Sequence, residues 1–520
     1  MAATISQSES LFTEFESLRA ELASVKLLRE KDQELIKHYE AEFERLREQL
    51  VKFKKEAFGP RKERWETEEQ GVLEFNEVEA LAKEACEEDE EEQIEVKAHV
   101  KARGKRRPLP TNLPREIVVV ELPENERVAS DGTRLKVVGK EVSEKLEYEP
   151  AKLRVIEYHR LRYGKDAGDP VKTAPPVPSI IPKGIATPGL LAAIVTAKYA
   201  DGLPLYRQEE ILGRQGVDLS RTSMARWVVQ AALAARPIWN ILEERLLAAP
   251  YLQCDETWTQ VLKEEGRKPE AQSWMWVRSN PIDTERIVLF DYDPHRSGDV
   301  AKRLLSEYRG ILQCDGYQSY NPLEKIKGIT RIGCNMHGRR GFRAAADGSA
   351  KSKPLASIGL KFYRHLYDIE EEAKGKIWAE RHDLRREKAA PIWAQFKSWA
   401  DVTYPKVPKK SSIGEALHYF LGEYEYLVGY LKDGRLEMDN GFVERMIKNF
   451  AIGRNNWLFS DTPEGADASA LFYSFVVTAK SNGVNPYKAL KEIFEKLPLA
   501  STLEDFERLA AILTSTPESK

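Results

Sequence analysis

Apolar residues recur along residues 11–57 at alternating intervals of three and four. With a positions at 15, 22, 29, 36, 43, 50 and 57 and d positions at 11, 18, 25, 32, 39, 46 and 53, twelve of fourteen seam residues are apolar. Leu18, Leu22, Leu46 and Leu50 are typical members. That density predicts a coiled coil; a helix packed on its own protein is the alternative. Arg29 and Asp32 form one polar layer, which fixes register at some cost in stability. Gly59-Pro60 ends the helix.

Beyond residue 112 the pattern shortens. "EIVVVEL" (116–122) and "KLRVIEYHRLRY" (152–163) carry the β-branched and aromatic residues of strands. "PPVPSIIPKG" (175–184) reads as a proline-rich linker. Residues 188–245 are helical in pattern, with a break at Gly216, an N-cap at Ser220 and a second helix presenting Trp227, Val228 and Ala231 on one face. This is helix-turn-helix spacing, and plain helical hairpins share it. Arg221 and Arg226, at the start of the second helix, are candidate DNA contacts.

The tetrapeptide "LQCD" occurs twice, ending on Asp255 and on Asp315. Strand-like "SWMWVRSN" (273–280) and "RIVLFDYD" (286–293) follow the first copy. "SGDVAKRLLSEY" (297–308), with Ser297 as N-cap and Val300, Leu304 and Leu305 as its apolar set, predicts a helix before "GILQCD". The order is strand, strand, strand, helix, strand, the first strand ending near Asp255 and the fourth near Asp315. In an RNase H-like sheet strands one and four are neighbours, so both carboxylates would lie side by side. Clustered carboxylates repel unless a cation neutralises them, and oxygen ligands of this kind suit Mg²⁺. Two such ions assist in-line phosphoryl displacement, which normally needs a third acid. Glu444 in "RLEMDNGFVERMIKNFAIGRNNWLF" (435–459) is the candidate. It lies in the first turn of a helix whose N-cap signal is Asp439-Asn440, off the stripe of Phe442, Val443, Met446, Ile447 and Phe450. A surface pair with Lys448 is the competing account of Glu444.

Charge adds a partner class. The net charge of −3 hides segregation: Glu84–Glu95 carries eight acids and no base, and six Lys/Arg fall between Lys97 and Arg107. The bland reading is a solvated linker; the functional one is a basic arm for phosphates. The four cysteines (Cys86, Cys254, Cys314, Cys334) form no CxxC pair. With no signal-peptide pattern and no apolar run of membrane-spanning length, a cytoplasmic protein is expected, nucleoid-associated when bound.

Taken in order, "AFGPRKER", "RRPLPTNLPREIVV", "CDETW", "LQCDGYQSYN", "GCNMHGRRGF", "DNGFVERMIKNFAIGRNNWLF" and "TAKSNGVNPY" resemble the bacterial transposases of the insertion sequence sixty-six family. The resemblance covers nearly the whole chain. It implies an α/β protein with an RNase H-like catalytic core, a DDE triad on Asp255, Asp315 and Glu444, and two Mg²⁺ ions, which Mn²⁺ replaces. It implies cleavage and strand transfer of double-stranded DNA at terminal inverted repeats, a homo-oligomer (dimer or higher) and accessory proteins from the same element. The alternatives are a retired DNA-binding protein or a nuclease of the same fold without joining. Boundaries expected are a coiled-coil helix (1–58), a charged linker (59–110), a small β-rich module (111–174), a proline linker with a helix-turn-helix-like segment (175–248), the core in two parts (249–320 and 435–490), a helical insertion domain (321–434) and a C-terminal helical tail (491–520).

Departures from the family pattern shape two further expectations. Its zinc module has two CxxC pairs, whose positions here read Val128 and Asp131, then Lys165 and Gly168. No zinc is therefore expected. Trp258 replaces a proline that tends to follow the "DET" of the first motif. Cys334 and His337 match the family's C-x-x-H motif, but two ligands are not a site; His337 is read either as a structural histidine or as one positioning a phosphate. Arg339, Arg340 and Arg343 suit phosphate contacts. Arg454 and Lys480 are further candidates, with structural salt bridges as the alternative.

Overall fold

The computed structural model describes residues 177–515, apart from 183, 283 and 349–351, together with isolated earlier positions. The chain divides into two units, residues 1–60 with 160–520 and residues 61–159. The second contributes Leu153, Val155 and Ile156 to the described residues, all exposed. Most of the seam of 11–57 and the strand "EIVVVEL" lie outside the described residues. Within residues 11–57, Arg19, Lys26, Arg29, Lys31, Gln33 and Tyr39 are helical and exposed.

In the first unit, short strands β1 (Arg162–Tyr163) and β2 (Lys172–Thr173) pair antiparallel. A five-stranded sheet follows, from β3 (Tyr251–Gln260), β4 (Gln272–Ser279), β5 (Val288–Asp293), β6 (Gly310–Gln313) and β7 (Ile329–Ile332), in the order β5-β4-β3-β6-β7. The first three are antiparallel; β6 pairs parallel with β3, and β7 parallel with β6. Two features differ from the sequence expectation. Strand β3 does not end near Asp255 but continues to Gln260, because each residue from Asp255 onward pairs with β4, from Val277 back to Gln272. Strand β7 falls inside the span expected to be helical; four residues are too few to show a periodicity.

Helices α1 (Pro188–Tyr199), α2 (Leu205–Arg214) and α3 (Arg221–Leu247) precede the sheet. The α2–α3 break runs through Gly216 at φ +79°. Ser220 caps α3, its Oγ accepting from Ser223 N at 3.3 Å, and Trp227, Val228 and Ala231 are buried. Helix α4 (Gly298–Leu305) links β5 to β6. Arg278 on β4 is fully buried and reaches Asp291 on β5 at 3.0 Å, Glu243 on α3 at 2.6 Å and the Leu304 carbonyl at 2.8 Å.

Residues 335–427 supply α5 (Asn335–Gly348), α6 (Lys353–Glu372), α7 (Trp378–Leu384), α8 (Ala390–Thr403), α9 (Ser412–Gly422) and α10 (Tyr424–Leu427). They enclose a core of their own, rich in aromatic rings: Phe342, Tyr363, Trp393, Phe396 and Phe420, with the last two 4.0 Å apart between centroids. Buried Arg385 pairs with Glu370 and donates to the carbonyls of Tyr430, Asp433 and Leu436. The chain returning to the sheet is thereby anchored to the helical layer.

Helix α11 (Gly441–Trp457) packs on β3. Helix α12 (Pro463–Ser481) covers the sheet's outer strand, where Ser474 Oγ accepts from Phe290 N at 2.8 Å and Thr478 Oγ1 from Val288 N at 3.0 Å. These hydroxyls satisfy edge groups that would otherwise invite another strand. Helices α13 (Pro486–Lys496) and α14 (Leu503–Thr514) close the chain. No helix among the described residues is long and apolar enough to cross a membrane.

Candidate active site

Alternation along a strand explains the tetrapeptide. Side chains of successive strand residues point to opposite faces. Leu252, Cys254, Leu312 and Cys314 all enter the main core, whereas Tyr251 enters the core of the helical layer. Gln253 and Asp255 share the face of Tyr251. The parallel register sets Leu252 opposite Leu312 and Gln253 opposite Gln313. The two copies therefore lie side by side, and two residues further on each ends at its aspartate.

Asp255 is half-buried; its Oδ1 accepts from Glu256 N at 2.8 Å and its Oδ2 from Asn440 Nδ2 at 3.4 Å. Burial, then the negative charges of Glu256, Glu444 and Asp315, push its carboxyl well above the usual carboxylate range. Asp315 Oδ1 accepts from Tyr317 N at 3.0 Å. Glu256 points to the opposite face, paired with Arg296 and accepting from Tyr320 Oη.

Glu444 is brought to this edge by the glutamines. Gln253 Oε1 accepts from Val443 N at 3.2 Å and Gln253 Nε2 donates to the Asp439 carbonyl at 3.0 Å. Gln313 Nε2 donates to the carbonyls of Glu437 at 3.0 Å and Gly333 at 3.1 Å. A side chain of the sheet thus satisfies a first-turn N–H of α11. Asn440 occupies the N-cap position but makes no side-chain cap; it turns to Asp255 and to Cys334, whose Sγ donates to its Oδ1 at 2.8 Å. Glu444 is buried, 6% exposed. Arg340 Nη2 donates to its Oε2 at 2.5 Å, and His337 Nδ1 lies 3.7 Å from its Oε1. Burial raises the Glu444 carboxyl to about 7 despite Arg340. Burial, and then Arg340, lower the His337 imidazole to about 4.

The other sequence candidates are dispersed. Arg339 is half-buried with its guanidinium 5.5 Å from the Tyr367 ring. Arg343 is exposed and pairs with Asp347 at 3.4 Å. Arg454 is buried, donates to Thr257 Oγ1 and the Trp258 carbonyl, and covers the Trp258 ring at 4.2 Å. Lys480 is exposed at the end of α12, and Arg221 and Arg226 are exposed at the start of α3. Sequence reasoning missed Gln253 and Gln313, and read Asn440 only as a cap. The available signal was the alternation itself: in "LQCD" the glutamine faces the same way as the aspartate.

Two neighbouring strands that lead to aspartates, with a helix bearing a buried glutamate packed against the first of them, agree with the transposase class to which the comparison assigns the chain. The model described as "Transposase IS66 family" matches residues 183–468, more than half of the chain. The chain belongs to the IS66 transposase family. Models described as "Transposase C of IS166 homeodomain", "zinc-finger binding domain of transposase IS66" and "IS66 C-terminal element" match residues 45–118, 129–164 and 474–511. Among relatives, the uncharacterized protein y4qI of Sinorhizobium fredii strain NGR234 is 33% identical over 392 residues, covering 73% of this chain and 72% of its own. Protein y4jD of the same strain is 30% identical over 408 residues, covering 76% and 79%.

The expectation of no zinc is corrected on two findings. The zinc-finger binding domain of the family is recognised at 129–164 although the CxxC positions are substituted. In addition, Cys334, His337 and Glu444 bring one ligand atom each to within 4.8 Å of one another. That is a sulfur, nitrogen and oxygen set of the kind zinc takes. The sequence reading stopped at Cys334 and His337, which are two ligands and not a site, because the third, Glu444, lies more than a hundred positions further along the chain.

Proposed function

We propose that the protein cleaves DNA at the terminal inverted repeats of a mobile element and joins the freed 3′ ends to target DNA, with Asp255, Asp315 and Glu444 as the catalytic triad. The observation that carries this reading is the shared register of β3 and β6, with the helix of Glu444 tied to the same two strands by Gln253 and Gln313. Three antiparallel strands followed by two parallel ones, with the first at the centre, support an RNase H-like core. The mutual repulsion registered at Asp255 supports a cation among these acids. Bound there, Mg²⁺ ions (or Mn²⁺) would neutralise charge on the scissile phosphate and lower the pKa of the attacking hydroxyl. The chain's own residues hold the acids in place: Asn440 and Glu256 N orient Asp255, Tyr317 N orients Asp315, and Arg340 secures Glu444.

Exposed Arg221, Arg226 and Arg343 are suited to DNA phosphates, and Arg339 and Lys480 extend that set. Arg454 serves by bracing β3 beside the triad. The helices of 335–427 act as an insertion domain over bound DNA. Holding two element ends together calls for an oligomer, and Tyr39, a seam residue 63% exposed in the single chain, suits a coiled coil that binds a second copy. The test uses labelled element ends and Mg²⁺. Joined product that disappears in Asp255→Asn while end binding persists supports the reading. Cleavage without joining leaves a nuclease, and binding alone a retired transposase.

A further inference from the structure

We propose that Cys334, His337 and Glu444 form a metal site for zinc-class ions, and that an ion held there withdraws Glu444 from the two aspartates. The second half rests on the triad reading; the first does not.

Cys334 immediately precedes α5 and His337 lies three residues on, so both side chains share one helical face. Glu444 arrives from the first turn of α11. Their ligand atoms lie within 4.8 Å of one another. A tetrahedral ion at roughly 2.0–2.3 Å from each ligand sets ligand atoms roughly 3.5 Å apart, so closure onto an ion asks for small movements only. His337 Nδ1 and Glu444 Oε1, already 3.7 Å apart, are both buried and neither has a hydrogen-bond partner. Two unsatisfied atoms facing each other in a buried place are a reason to look for a shared cation. Arg340 engages the other carboxylate oxygen, Oε2, and so leaves Oε1 available. Thiolate, imidazole and carboxylate together suit zinc and not magnesium, which prefers oxygen alone. On binding, the Cys334 thiol proton passes to solvent and its bond to Asn440 Oδ1 is lost, while Asn440 N still approaches Sγ at 3.5 Å. Thiolate and carboxylate balance the charge of a divalent ion, and a fourth position remains for water. With Oε1 on that ion and Oε2 held by Arg340, both carboxylate oxygens are engaged away from Asp255 and Asp315.

Cobalt(II) titration of the full chain provides the test. One equivalent is expected to give a thiolate-to-cobalt charge-transfer band that zinc abolishes and that is missing in Cys334→Ser. Cys86, Cys254 and Cys314 remain in that variant, so a band that survives there, or no band in the wild type, overturns the site. Should Cys334→Ser fail to fold, His337→Ala is expected to bind cobalt about tenfold or more weakly, and unchanged affinity overturns the site. With zinc loaded, Mg²⁺-dependent cleavage should fall in proportion to occupancy and return on chelation. Undiminished cleavage by zinc-loaded protein overturns the second half. If no cleavage occurs even without zinc, the triad reading fails and the cobalt spectrum still decides the site.

Discussion

Gln253 and Gln313 face each other across parallel strands β3 and β6, with Gln253 Nε2 donating to Gln313 Oε1 at 2.9 Å. Both are fully buried, and together they hold the carbonyls of Glu437 and Asp439 and the N–H of Val443. The pair connects the sheet that bears the aspartates to the helix that bears the glutamate.

Gln253→Leu keeps the volume and removes these bonds. The Asp439 carbonyl, the Val443 N–H and part of Gln313 are left unsatisfied in a buried place, at about 1–3 kcal/mol. Denaturant melts should show that loss, and strand cleavage should fall further than stability alone explains because Glu444 is no longer fixed. A variant as stable and active as the wild type would remove the glutamines from the account.

Glu444 gives the metal-free protein a pH dependence. Its carboxyl rises from 4.5 to about 7 on burial, so between those values the folded state binds a proton that the unfolded chain has released. Stability from this group is complete below the lower value and declines as pH rises through the upper one. Glu444→Gln has no such proton. In the presence of a chelator, the variant should gain on the order of 1–3 kcal/mol over wild type between pH 4.5 and 8. Parallel stability profiles would mean that the carboxylate is solvated.

Arg278 neutralises Asp291 and Glu243 where β4, β5 and α3 meet, with its own side chain fully buried. Arg278→Met leaves both acids without that partner, and a loss of about 3–5 kcal/mol is expected in chemical denaturation. Cosubstitution of Asp291→Leu should recover part of it. A loss within experimental scatter for the single variant is the contrary outcome.

Replacing Leu18, Leu22, Leu46 and Leu50 with polar residues removes four seam positions of the N-terminal heptads. Light scattering should then report a smaller mass in solution, with the catalytic unit still folded by circular dichroism. An unchanged mass would assign oligomerisation to another surface.

Much of the candidate site's placement was legible in the sequence. The two aspartates end apolar runs that read as neighbouring strands, and Glu444 falls off an apolar stripe just past a capping signal. The cap position was read correctly, for Asn440 holds it, but its side chain makes no cap: Gln253 accepts the first-turn N–H while Asn440 turns to Asp255. Strand β7 was hidden by its brevity, and the continuation of β3 to Gln260 by its dependence on a partner strand. Arg454 reads in sequence as a phosphate ligand or a structural salt-bridge partner, and in the fold it donates to Thr257 Oγ1 and the Trp258 carbonyl.

By itself the sequence determined what periodicity and local chemistry encode: the heptads, the α2–α3 break with its Ser220 cap, the order of elements around each "LQCD", and the family to which they belong. Tertiary structure alone decided which partners complete the site. Gln253 meets α11 across 190 residues of chain, and Cys334, His337 and Glu444 converge from two separate helical segments. Hydrogen bonding and metal ligation act over a few ångströms of space, and chain distance carries no record of them until the core has packed.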